Sequence, residues 1–239
     1  MIGRIVGEQE KEMKKSKPRL TSGHRARSKA KLISSKSDQS RENIIAAALK
    51  VFARHPYHLA TIRMVARAGG FDHQLINYYF PAKADLFEAV VVTACEDFSR
   101  AHESWFEGLN RTGIRESFSL FLDRHLDYHE KHPEPLRILA LNAPLLERLE
   151  EIPGYQHVPT TLAKLRADFE RNTNLRADSD QIGRFVTAFN LAIINFLGAA
   201  PSQAEILGMD PNSAEYRTWV KETLLYVFFP LLKNLIFPE

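Results

Sequence analysis

The sequence predicts an all-α protein: a three-helix helix-turn-helix unit near the N-terminus, then a larger helical body. Three observations lead there. Apolar residues recur at three-to-four spacing along much of the 239-residue chain, the period of an amphipathic helix. No run alternates apolar and polar residues over a useful strand length, and no internal repeat occurs. Gly and Pro fall between the periodic runs, where they stop helices.

The first 38 residues are rich in Lys, Arg and Ser and poor in aromatics, and read as a disordered basic arm. They hold eleven Lys and Arg against four acids, a net +7 that leaves −4 for the rest of the chain, whose total is +3. A basic arm on a mildly acidic body suggests a polyanionic partner, most simply DNA phosphates, or else a solvated tail with no partner. Met13 leaves a later translation start open. The single cysteine, Cys95, excludes an intrachain disulfide and a multi-Cys metal cluster, so a reducing cytoplasm is expected. The N-terminus lacks the apolar core of a secretory signal. The longest apolar-looking stretch, 186–200, is interrupted by Asn190 and Asn195 and falls short of the roughly 20 residues of a membrane span, so no membrane is expected.

Residues 39–84 divide into three helices. Ser40 is suited to N-cap a helix whose apolar positions are Ile44, Ile45, Ala48, Leu49 and Phe52, and which ends near His55 because Pro56 disfavours helix before it. Thr61 caps a second helix with Ile62, Val65 and Ala66 inward. Gly69-Gly70 stops it, since glycine tolerates the positive φ of such a turn. Asp72 caps a third helix, and Pro81 forces a break. A long fourth helix opens at Ala84 or Asp85, with Leu86, Phe87, Val90, Val91, Ala94, Phe98 and Trp105 as its stripe. Five further helices are expected near 115–132, 134–143, 155–172, 179–197 and 214–229. The breaks fall at Gly113, Pro133, the Pro144 to Gly154 region, 176–178 and Pro201 to Pro211.

Two short helices joined by Gly-Gly form the layout of a helix-turn-helix, whose second helix enters the DNA major groove. On the third helix, Ile76, Tyr79 and Phe80 share one face and would pack inward. His73, Gln74, Asn77 and Tyr78 share the other, because 73/77 and 74/78 are i, i+4 pairs. Gln and Asn can bond bidentately to adenine, and His can reach guanine or a phosphate. Leu75 lies beside this face and can contact a thymine methyl. His73, Gln74, Leu75 and Asn77 are therefore the expected base-reading set. Thr61, Arg63, Tyr78 and Lys83 are the expected phosphate contacts, Thr61 because a helix N-terminus attracts anions. Arg25, Arg27, Lys29 and Lys31 could add contacts to flanking DNA.

This stretch resembles the DNA-binding domain of the TetR family of one-component transcriptional regulators. AALKVFAR, Tyr57, TIRMVARAGG and YYFPAKADLFEAVV carry the resemblance, which covers about residues 40–98. Tyr79, Phe80, Pro81, Lys83, Leu86 and Phe87 fall at the family's positions. Pro56 stands where Gly is usual, Asn77 where a backbone-touching Tyr is usual, and Leu75 where a small or hydroxylated residue is usual, so the operator cannot be borrowed from relatives.

The resemblance implies that residues 85–239 form a ligand-binding and dimerisation domain, and that the protein is a homodimeric repressor released from a palindromic operator by a small, largely apolar effector. Phe118, Leu122, His125, Leu126, Leu139, Phe169 and Phe189 are its candidate pocket residues. Phe185, Ile193, Phe196, Trp219, Val220 and Val227, on the last two long helices, are its candidate dimer residues. Each of the dimer positions could equally be plain core, and for the pocket positions core is the favoured reading. The opposed reading is a small all-α metal-dependent enzyme. His125 and His129 have the i, i+4 spacing of metal ligands with Asp123, Asp127 and His132 nearby. The bland account is a hydrated helix face, and no cofactor, metal or catalytic residue is assigned, since no G-x-S-x-G, P-loop or H-E-x-x-H is present.

Overall fold

The computed structural model describes residues 22–109, 113–142 and 152–238, with side chains from Ser37 onward. Ten α-helices and no strand occur among the described residues: α1 (Ser22–Phe52), α2 (Ile62–Gly69), α3 (His73–Tyr79), α4 (Lys83–Ser104), α5 (Ile114–Lys131), α6 (Glu134–Asn142), α7 (Val158–Asn172), α8 (Ser179–Ile193), α9 (Ala200–Leu207) and α10 (Ala214–Ile236). The chain divides into two compact units, Met1–Ser40 and Arg41–Glu239.

In the first unit, the expected arm is helical from Ser22 instead of disordered to 38. The physical reason is composition: beyond Gly23 no Gly or Pro interrupts the run, and its Lys, Arg and Ala are good helix formers. Ser40 therefore lies inside α1 and does not begin it. Met13 and residues 1–21 lie outside the described residues.

The second unit holds everything else. The head core gathers Ile44, Ala48 and Phe52 of α1, Val65 of α2, Ile76 of α3, and Leu86, Phe87 and Val90 of α4. The expected caps form. Thr61 Oγ1 accepts from Met64 N–H at 3.3 Å, and Asp72 Oδ1 accepts from Gln74 N–H at 2.8 Å. Gly70 takes φ 69°, a left-handed conformation that a side chain would strain. α4 begins at Lys83, slightly before the expected start, because Asp85 Oδ2 accepts the Ala82 N–H at 2.9 Å.

The body differs from expectation in three places. The Pro201 to Pro211 break contains α9, with Pro201 in its first turn, where proline's missing donor costs nothing. α8 is α-helical only to Ile193, and residues 194–198 wind as a π turn. There Gly198 lies against α6: an added Cβ would stand 2.9 Å from the Leu136 carbonyl carbon and 3.0 Å from Ala140 Cβ. α10 continues through Pro230 to Ile236. Pro230 is exposed, while Leu232 and Leu235 beyond it are buried and hold the last turns to the core. The N–H groups of Arg176 and Ala177 cap that end by bonding Leu235 O at 2.9 and 3.1 Å.

Candidate nucleic-acid interface and body cavities

The two faces of α3 part cleanly. Ile76 is fully buried and Phe80 nearly so, with Tyr79 half-buried. His73, Gln74, Leu75, Asn77 and Tyr78 are all exposed, Tyr78 to 78%. The apolar side fixes the helix by burial, and the polar side is left free to meet another molecule. Thr61 and Arg63 are exposed on the adjoining first turn of α2.

Lys83 differs from its expected place in the phosphate rim. Its Nζ donates to Tyr57 O at 2.8 Å and to Ala60 O at 3.1 Å, and lies 4.4 Å from the centre of the Tyr57 ring. These carbonyls belong to the loop between α1 and α2. Lys83 is thus a brace that ties this loop to the start of α4, and two of its three N–H donors are already engaged.

A second tie to that loop went unforeseen. Asn142, fully buried at the end of α6, accepts the Tyr57 N–H on Oδ1 at 2.8 Å and donates from Nδ2 to Ile138 O at 2.8 Å. Tyr155 donates its hydroxyl to the same Ile138 carbonyl at 2.8 Å, and its ring stacks 6.3 Å from Phe87 of the head core. Burial pushes the Tyr155 phenol above its usual range, so it stays a neutral donor. α6 is therefore hydrogen-bonded to the loop that precedes the helix-turn-helix. Nothing in a lone Asn after a helical run signals this, since Tyr57 lies 85 residues away in sequence.

Two adjoining cavities open in the body. One, about 60 Å³, lies among α4, α6, α7 and α8, with Phe98, His125, Leu136, Leu139, Thr161 and Asn190 on its walls. The other, about 30 Å³, is walled by His102, Phe118, Phe121, Phe169 and Phe189 and shares Phe98, His125, Leu165 and Asn190 with the first. Among the expected pocket residues, His125, Leu139, Phe118, Phe169 and Phe189 line one or both. Leu122 and Leu126 line neither: both are buried in the body core between α5 and its neighbours. Phe98 was legible only as helix stripe, and His102, Thr161 and Asn190 carried no signal.

The expected hydrated face at His125 and His129 is instead interior, at 3% and 9% exposure. His129 Nε2 bonds the Leu197 carbonyl at 3.1 Å, across to the π turn. The acids of the same helix are turned outward and committed: Asp127 and Glu130 meet Arg217 at 2.6 and 2.8 Å, and Asp123 meets Lys221 at 2.7 Å. No group of three or more His, Cys, Asp or Glu able to hold a metal ion occurs among the described residues. The two carboxylates of the metal-enzyme reading, Asp123 and Asp127, are thus taken up in ion pairs.

Three of the six expected dimer residues, Phe185, Ile193 and Val220, are at most 6% exposed within one chain and pack α8 against α10. Their burial in the single chain leaves no surface to offer a partner. Phe196 and Trp219 are half-buried against each other, with ring centres 5.6 Å apart, and Val227 is exposed. Leu191 of α8 and Tyr226, Val227 and Leu231 of α10 are exposed. No single helix among the described residues is long and apolar enough to cross a membrane.

Comparison with known proteins gives a consistent answer. Residues 44–90 match the family model for bacterial regulatory proteins of the TetR family. The repressor NicS of Pseudomonas putida is 29% identical over 44% of this chain, which spans only about half (48%) of that relative. The repressor SCO4008 of Streptomyces coelicolor is 26% identical over 66% of this chain and 80% of its own length. The fold matches the crystal structure of a TetR-family transcriptional regulator from Streptomyces coelicolor, with TM-score 0.59 and 17% identity over 83% of this chain and 87% of the other. With its buried-and-exposed α3 and its Gly-Gly turn, the segment 44–90 thus carries the DNA-binding domain of bacterial regulatory proteins of the TetR family, and the chain is similar in sequence to two repressors and in fold to a TetR-family regulator.

Proposed function

We propose that this protein is a cytoplasmic, homodimeric repressor that binds a palindromic DNA operator through α3 and leaves it when a small, largely apolar molecule enters the body. The observation that carries this reading is α3 itself: a short helix anchored by Ile76 and Phe80, with a wholly exposed His73, Gln74, Leu75, Asn77 face. Amides at 74 and 77 suit adenine, and Leu75 suits a thymine methyl, so an A·T-rich half-site is expected. Thr61, Arg63 and Tyr78 supply donors for phosphates, which set register without reading sequence. The repressor sense follows the names of the two curated relatives.

One seven-residue helix reads few base pairs, so two copies are expected on half-sites about 34–36 Å apart. The exposed Leu191, Tyr226, Val227 and Leu231 offer a self-complementary apolar face for that pairing.

The effector reading rests on one continuous chain of contacts. α6 lends Leu136, Ile138 and Leu139 to the larger cavity and ends in Asn142, bonded to the loop before α2. A molecule that widens the cavity displaces α6 and with it the mounting of the head. The shift in DNA affinity can equal only the ligand's preference for the non-binding state.

Fluorescence anisotropy with duplexes from the DNA flanking this protein's own gene tests the reading. One duplex is expected to bind with a strong dependence on salt. Gln74→Ala is expected to lose about 1–3 kcal/mol of preference for that duplex over a scrambled one. Equal binding of all duplexes by the native protein would remove the operator reading, and an unchanged preference in the variant would remove α3 as the reading face.

A further inference from the structure

The cavities hold polar groups that neither the DNA reading nor the packing uses. Both ring nitrogens of His125 are buried without a hydrogen-bond partner among the described residues, and His125 lines both cavities. His102 lines the smaller one, with its Nδ1 also unpartnered and 3.8 Å from the unpartnered Oδ2 of Asp168. A buried donor or acceptor left unmade is costly, and such groups usually have a partner. Around the two imidazoles stand aromatic rings. Trp105 lies 4.6 Å from His125 and 5.4 Å from His102, centre to centre, with Phe98 and Phe121 at 5.7 to 6.5 Å.

Charge decides which chemistry fits. Among the described residues lining the two cavities there is no Lys, Arg, Asp or Glu. Burial holds both imidazoles neutral: it drives His102 down to about 4, against the opposing pull of Asp168, and His125 further below its usual value. A neutral imidazole carries one donor and one acceptor. An anion entering here would find no cation to meet it, and the Asp168 carboxylate stands just behind His102. A cation would find two imidazoles and apolar walls.

We infer that the cavities take an uncharged aromatic molecule bearing one hydroxyl, which bonds one of the unpartnered nitrogens of His125, as donor or acceptor according to the tautomer, beside the rings of Phe98 and Phe121. The inference rests on the reading of these cavities as the effector site, and it names the class of effector. The hydroxyl is selected because it can donate to or accept from the His125 nitrogen it meets, whichever tautomer is present. The ring is selected by the aromatic wall that Phe118, Phe169 and Phe189 add, and seating it widens cavities of about 60 and 30 Å³. A purely apolar molecule of the same shape leaves His125 unmade, and sites with buried polar groups reject such analogues.

Three matched probes test this on the full chain by isothermal titration: 4-ethylphenol, ethylbenzene and 4-ethylbenzoate. The phenol is expected to bind at least tenfold more tightly than either of the others. His125→Phe is expected to bring the phenol to the level of ethylbenzene. Should that variant fail to fold by circular dichroism, the imidazole ¹⁵N resonances of His125 in the native protein supply the second reading, and they are expected to shift with the phenol and not with ethylbenzene. Equal binding of phenol and ethylbenzene, tighter binding of the benzoate, no binding of the phenol, or unmoved His125 resonances would each overturn the inference. Operator anisotropy with the same probes separates the two levels. If the phenol binds as stated but leaves operator affinity unmoved, the cavity chemistry stands and the effector reading falls. If ethylbenzene releases the operator as well as the phenol does, the effector reading stands and the hydroxyl does not.

Discussion

Lys83 shows how a residue can match a family position and still serve an end that spacing does not reveal. It follows Pro81 near exposed DNA-facing residues, and its charge alone suggests a phosphate. Its ammonium instead holds two loop carbonyls that no helix satisfies. Hydrogen bonds from a charged donor contribute about 1.5–3 kcal/mol, less where solvent reaches them as it does here. Lys83→Ala is therefore expected to lower stability by about 1–3 kcal/mol in urea denaturation, and to weaken binding to every DNA sequence alike. Weaker DNA binding with an unmoved denaturation midpoint would return Lys83 to the phosphate rim. The exposed residues of α3 behave otherwise: a seven-residue helix with apolar residues on one side has only one way to pack, so its polar side was legible from spacing. The partners of Lys83 and Asn142 were not, because a backbone carbonyl or N–H has no signature in sequence.

At the scale of elements, what the sequence discloses follows where the energy is local. Caps and turns depend on neighbours two to four residues away, and so Thr61, Asp72 and Gly70 were readable. The extent of α1, the existence of α9 and the continuation of α10 past Pro230 were not. Each depends on whether a break signal is overridden, by helix-forming composition before Ser40 or by burial of Leu232 and Leu235. The π turn at 194–198 is of the same kind: it sets Gly198 where α6 passes over it, and π segments often mark functional positions. The contact leaves no space for a methyl group. Gly198→Ala is expected to destabilise by about 1–3 kcal/mol through overpacking. It is also expected to change the effector's hold on DNA, since the same α6 carries Asn142. A variant as stable as the native protein in urea would show that α6 can move away from the π turn without loss.

Across the whole molecule, apolar faces of the body divide into those turned inward and those left out. Phe185, Ile193 and Val220 belong to the first group, which periodicity cannot tell from the second. Leu191 and Tyr226, at 62% and 84% exposure, belong to the second. Replacing both by Glu is expected to leave the helical content intact and to convert a dimer to a monomer in analytical ultracentrifugation, with operator affinity falling sharply because two half-sites are then bound independently. A double variant that sediments like the native protein would place the dimer face elsewhere.

The buried imidazoles impose a second property on the whole molecule. His102 and His129 are held near 4 by burial, and His125 is also held below its usual 6.5. The unfolded chain binds protons on these groups from about 6.5 downward, while the native state refuses them to lower pH, His102 and His129 until about 4. Between those values the unfolded state holds more protons, so stability rises with pH and is lost as pH falls through that window. Each excluded proton weakens folding by about 1.4 kcal/mol per pH unit, and three such groups together are large against the roughly 5–15 kcal/mol that holds a typical protein folded. Thermal melts followed by circular dichroism are therefore expected to show a midpoint that drops steeply from pH 6.5 toward 4. His125→Phe removes one titrating group and is expected to shallow that slope by close to one proton. A midpoint level across the window would mean that these imidazoles accept protons in the folded state, and the neutral cavity chemistry on which the hydroxyl recognition depends would fall with it.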